Sequence, residues 1–124
     1  MTKDEAALRT MIVDDEPLAI ERMQVLCAEL GQLQVVGTAS DGEAALRLAD
    51  KLKPDLLLQT IAGLEGRLDP SRFIRIHRST ILRRDRIRGL RHEGLGVWSV
   101  ELDNGEALRI GRTYLRKVKA MAGR

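Results

Sequence analysis

Three short apolar runs mark the first 58 residues, each separated from the next by a stretch of helical period, and few folds accommodate that order. Leu8 to Val13 contains the first run, and it ends abruptly in Asp14-Asp15-Glu16-Pro17. Pro17 suits a first helical position, where its missing N–H would have no partner anyway. From Leu18 to Leu30, Ile20, Met23, Cys27 and Leu30 recur on one helical face, and Gly31 stops the helix. Leu33 to Ala39, with Val35-Val36, forms the second strand. Ser40-Asp41-Gly42 then opens a helix whose buried stripe is Ala45, Leu48, Ala49 and Leu52, and Pro54 ends it. Asp55-Leu56-Leu57-Leu58 begins a third strand. This βαβαβ order predicts a parallel sheet with right-handed crossovers.

In such sheets chemistry collects at the carboxyl ends of the strands, where Asp14 and Asp15 stand. Adjacent carboxylates there suit a weakly held Mg²⁺, a hard cation that takes oxygen ligands. The same acids also fit a plain turn, with Asp15 or Glu16 favoured by the dipole of the following helix.

From residue 59 the pattern changes. Thr60 to Leu68 places Ile61, Leu64 and Leu68 on one helical face, weakened by Gly63 and Gly66 and stopped at Asp69-Pro70. Phe73 to Arg78 approximates alternation, and Thr80-Ile81-Leu82 and Ile87 to Leu90 are further short strands. Val97 to Leu102 and Ala107 to Ile110 flank Asp103-Asn104-Gly105, a hairpin signal because Asn and Gly accept positive φ. One face of that hairpin carries Trp98, Val100 and Leu102. Tyr114 to Met121 is a basic helix with Arg116, Lys117 and Lys119.

Charge is segregated along the same division. Residues 1 to 58 hold 6 Lys+Arg against 11 Asp+Glu, and residues 59 to 124 hold 15 against 7, giving net −5 and +8. Arg72 to Arg91 alone holds eight arginines against one acid, Asp85. Such a block attracts polyanions, of which nucleic acid is the commonest in a cytoplasm, although a solvated arginine-rich surface has the same composition. Aromatic residues are only 2% of the chain, so its core must rest on Leu, Ile, Val and Ala. No apolar run is long enough for a membrane span, and Lys3, Asp4, Glu5 and Arg9 occupy the place of an apolar signal, so a cytoplasmic location without membrane is expected. Cys27 cannot form an internal disulfide and reads as packing; His77 and His92 lack a second ligand at zinc spacing. No nucleophile stands beside a base and no phosphate-binding glycine fingerprint occurs, so an enzyme is not expected.

Two resemblances follow from particular runs. Ile12-Val13-Asp14-Asp15-Glu16-Pro17-Leu18-Ala19, then Val36 to Ala44, then Lys53-Pro54-Asp55-Leu56-Leu57-Leu58 resembles the first half of a response-regulator receiver domain, a partial flavodoxin-like βαβαβ unit. The resemblance implies an acidic pair that helps bind Mg²⁺ and a phospho-accepting aspartate at the end of the third strand. Here that position falls on Thr60, preceded by Gln59, so no phospho-acceptor is expected.

Leu64 to Leu82, with Arg72-Phe73-Ile74-Arg75-Ile76-His77-Arg78-Ser79 at its centre, then Arg86-Ile87, then Gly105 to Tyr114, looks like the second half of the LytTR family of DNA-binding domains. That resemblance implies a β-rich fold reading duplex DNA from loops, with Arg78 and Arg112 at base-contacting positions. A guanidinium suits the O6 and N7 acceptors of guanine, while Ser79 and Lys117 are candidates to hold phosphates. A third contact of the family belongs to an earlier part of its domain that has no counterpart here.

The expectation is therefore an internally deleted LytTR-type response regulator: a truncated receiver-like segment at 1–58 joined to a truncated LytTR-like segment at 59–124 with a basic C-terminal helix. Its function would be DNA-binding transcription regulation without phosphoryl control. The alternative is an interaction protein that pairs with an intact regulator through its receiver half. Because missing strands would leave a bare sheet edge at Leu56 to Leu58, self-association is also expected.

Overall fold

The strand Leu56–Gln59 lies at the centre of the larger sheet. The computed structural model describes residues 7–122, so the charged start with Lys3, Asp4 and Glu5 lies outside the described residues. Strands β1 (Leu8–Val13), β2 (Leu33–Ala39) and β3 (Leu56–Gln59) alternate with helices α1 (Pro17–Leu30) and α2 (Gly42–Leu52), in the expected order. β1 lies between β2 and β3 and pairs with both in parallel, Thr10 to Val13 standing opposite Leu56 to Gln59. At Gly37 in β2 an added Cβ would come within 2.8 Å of Leu48 and Leu52, so glycine there lets α2 lie close on the sheet.

The expected bare edge on β3 does not exist. β5 (Thr80–Arg83) pairs antiparallel with it, Leu56 opposite Leu82 and Leu57 opposite Ile81, and β4 (Phe73–His77) pairs with β5 in turn. One mixed five-stranded sheet results, in the order β2-β1-β3-β5-β4. Side-chain parity explains the docking. Leu56 and Leu57 point to opposite faces of β3 and both are buried; Leu82 and Ile81 continue the same pattern, so the hairpin extends both cores while satisfying the backbone of β3. Each such fully buried side chain stabilises by about 1.5–3 kcal/mol. The boundary drawn after Leu58 thus falls inside a strand whose neighbours come from both segments.

One face of the sheet, with Met11, Val13, Leu57 and Ile81, packs on Ala45 and Ala49 of α2 and on Leu64 and Leu68. The other, with Leu8, Leu56, Ile74, Ile76 and Leu82, packs on Val100, Leu102, Ile110 and Val118. Val100 and Leu102 belong to a second, antiparallel sheet of β6 (Ile87–Gly94), β7 (Val97–Leu102) and β8 (Ala107–Arg109), Ile110 follows β8, and Val118 lies on α3 (Leu115–Ala122). The fold is mixed α/β, with its β-rich part toward the C-terminus.

Three local expectations are corrected. Thr60 to Leu68 is not a helix: only Glu65–Arg67 forms a 3₁₀ turn, because Gly63 takes φ 81°, yet Leu64 and Leu68 are still buried as the helical face required. Leu30 is 59% exposed, together with Leu18, Val25 and Leu26, since α1 lies beside β2 at the rim of the sheet and buries only Cys27 completely. β6 continues past the expected Leu90 to Gly94, so His92 sits in that strand beside Trp98. Leu95 and Gly96, at φ 53° and 76°, make a two-residue hairpin turn, a signal hidden by the bulky leucine. The Asp103-Asn104-Gly105 hairpin is present as expected, with Val100 and Leu102 fully buried.

Candidate nucleic-acid interface

The β4–β5 turn stands at the same end of the large sheet as the carboxyl ends of β1 and β3. Thr60 N–H donates to the Val13 carbonyl at 3.1 Å, and Gln59 N–H donates to the Ser79 carbonyl at 2.9 Å. The turn is short because His77 caps it. Its Nδ1 accepts from the Ser79 N–H at 3.2 Å and lies 3.1 Å from Ser79 Oγ. Arg78, between them, is exposed.

A second segment meets this turn at His77. Gly111 N–H donates to the Ile76 carbonyl at 2.7 Å. A Cβ on Gly111 would lie 3.4 Å from the His77 Cα and 3.2 Å from the Tyr114 ring, so a small residue is needed for that approach. Arg112 follows at once, exposed, in the 3₁₀ turn Arg112–Tyr114 that leads into α3, and buried Ile110 and Val118 anchor the segment on either side. Arg78, Ser79 and Arg112 are therefore gathered around one histidine. Lys117 is placed differently: it lies on α3, with Nζ 2.9 Å from Glu65 Oε2.

Most of the arginine block has internal partners. Arg83 and Arg86 reach the buried Asp55 at 3.4 and 3.0 Å, and further bind Asp85 and Asp103. Arg88 and Arg91 share Glu101, Arg75 lies 3.8 Å from Glu65, and Arg84 donates to the Pro70 carbonyl. The chemistry follows. Hydrogen bonding to Arg83 holds the Asp85 carboxyl below its ordinary range, and hydrogen bonding to Arg91 does the same for Glu101. Among the described residues, Arg78 and Arg112 have no side-chain hydrogen bond or ion pair, and each keeps five donors for a ligand.

The acidic pair offers less. Asp14 Oδ1 accepts the Glu16 N–H at 2.9 Å, making a local turn, and Asp15 is exposed. Glu16 takes the N-cap position of α1 without a side-chain cap bond. Among the described residues no group of three His, Cys, Asp or Glu side chains could hold a metal ion, and the third-strand position is the neutral, exposed Thr60. The residues present do not fit the Mg²⁺ site that the receiver resemblance implies. No helix among the described residues is long and apolar enough to cross a membrane.

Loops on a β-rich scaffold presenting free guanidinium groups fit a nucleic-acid-binding domain. The sequence profile of the LytTr DNA-binding domain matches residues 25–123, and the chain belongs to that family. It is 48% identical over 62 residues to the positive alginate biosynthesis regulatory protein of Pseudomonas aeruginosa, covering 48% of this chain and 25% of that protein. It is 39% identical over 70 residues to the transcriptional regulatory protein BtsR of Escherichia coli, covering 51% and 29% respectively. The chain thus spans under a third of the length of these curated relatives. A solved LytTr DNA-binding domain from Bacillus cereus aligns with a TM-score of 0.43 at 27% identity, covering 48% of this chain and 55% of that one.

Proposed function

We propose that this chain binds duplex DNA and regulates transcription, with Arg78 and Arg112 reading base edges and Ser79 holding a phosphate. The observation that carries this reading is the placement of two uncommitted arginines on the segments that meet at His77, while Arg83, Arg86 and Arg91 are held in ion pairs. An arginine fork matches guanine in the major groove and stays charged at any working pH. Lys117, shared with Glu65, adds field near the site and supplies a phosphate contact when it exchanges partners. Family membership and the names of the two relatives support the same reading.

On this reading residues 1–58 are a receiver remnant without phosphoryl control, since Thr60 stands at the acceptor position, and the chain arose by internal deletion. The test is fluorescence anisotropy with a duplex selected from a random library, compared with unselected duplex. Tight, salt-dependent and sequence-dependent binding is expected. The interaction-protein alternative, pairing with a second copy or an intact regulator, draws on one observation, the exposed Leu18, Val25, Leu26 and Leu30 of α1. DNA binding indistinguishable from that of a neutral protein would leave that alternative standing.

A further inference from the structure

Three donors converge on the backbone of the base-reading turn. The Arg78 carbonyl accepts from Arg75 Nε at 3.2 Å, from Arg75 Nη2, and from Gln59 Nε2 at 3.3 Å. The same Arg75 guanidinium lies over the Tyr114 ring, 5.3 Å from its centroid, and Tyr114 N–H closes the turn of Arg112 by donating to Gly111 at 2.9 Å. Arg75 therefore touches the backbone of one reading segment and the ring of the other. Glu65, 3.8 Å away, steadies it from the side.

Gln59 adds an independent sign. It is 3% exposed at the end of an apolar strand, and its Oε1 has no partner among the described residues. A buried amide with an unmet acceptor is unfavourable for stability, so packing alone does not account for a polar residue here. Its satisfied half grips the turn.

We propose that Arg75 and Gln59 are positioning residues that fix the placement of Arg78 relative to Arg112, so that they govern sequence discrimination more than overall affinity. This rests on the DNA-binding reading above. Phosphate contacts supply affinity and base contacts supply discrimination, and base contacts tolerate only small displacements. A lysine at 75 keeps the charge but has no planar fork to bridge carbonyl and ring.

The experiment selects a duplex against the wild-type chain and measures, for each variant, the ratio of Kd on random duplex to Kd on that selected duplex, alongside thermal melting. Arg75→Lys is expected to lower the ratio about tenfold. Tyr114→Leu should lower it more than Tyr114→Phe, which keeps the ring face. Gln59→Leu should lower it at least about threefold while the melting temperature holds or rises, an outcome that a purely structural role does not produce. Arg88→Gln, on the second sheet, is the control. A ratio that stays at the wild-type value in folded Arg75→Lys and Gln59→Leu overturns the positioning role alone. If selection enriches no sequence from the library, the DNA reading itself fails and this role with it.

Discussion

Asp55 and Arg86 face each other at 3.0 Å, and Asp55 is 4% exposed. Asp55 also accepts the Arg9 N–H at 2.9 Å and lies 3.4 Å from Arg83. It stands between the parallel half of the sheet and the arginine block. Asp55→Asn should cost about 2–3 kcal/mol, the loss expected for breaking a buried pair, reduced because Arg83 is partly solvated. Urea unfolding checks it; a change under about 0.5 kcal/mol would show the pair to be dispensable.

The five-stranded sheet joins strands from Leu8 to Arg83, so unfolding should follow one cooperative transition observed alike by far-ultraviolet circular dichroism and by Trp98 fluorescence. Two separated transitions, one per segment, would contradict the shared cores.

For DNA, Arg78→Ala and Arg112→Ala should each cost about 1–3 kcal/mol on a selected duplex and much less on random duplex. Arg91→Ala should change both little, because Arg91 is engaged with Glu101. Binding should weaken with salt by about 0.9 log units per neutralised phosphate per decade. Insensitivity to both arginine substitutions would remove these residues from the interface.

Incubation with acetyl phosphate and Mg²⁺ should leave the chain unmodified, since Thr60 offers a neutral hydroxyl and Asp14 is tied into its own turn. Intact-mass measurement decides. A stoichiometric adduct on Asp14, Asp15 or Asp55 would restore phosphoryl control.

Acid should destabilise the fold. Asp85 is lowered chiefly by its hydrogen bond to Arg83, and Asp69 by hydrogen bonds from Ser71. A carboxyl whose folded value is depressed contributes stability above its unfolded value, and loses that contribution as pH falls through the folded value. The melting temperature should therefore be flat above the ordinary carboxylate range and drop below about pH 4. A melting temperature that is constant down to about pH 2 would mean these pairs contribute nothing.

Local pattern carried much of this structure. The βαβαβ order, the Asn104-Gly105 hairpin and the basic terminal helix each follow from periodicity or turn chemistry within a dozen residues. What the sequence concealed was long-range. The pairing of Leu57 with Ile81 joins positions 24 apart through an antiparallel contact that a parallel expectation does not anticipate. The arginine block looked like a field for polyanions because its partners, Asp55, Glu101 and Asp103, lie far along the chain. The contact of Arg75 with the Tyr114 ring stayed hidden for the same reason, whereas Gln59 left a trace as a polar residue closing an apolar strand.

The edge of β3 sets terms of parity and length, not of ancestry. Four extended residues with apolar side chains on both faces were enough to take a place where a parallel neighbour was expected, running in the reverse direction. The open side of a short parallel strand is thus a socket, and a hairpin further along the chain is a plug whenever its leucines and isoleucines fall in step.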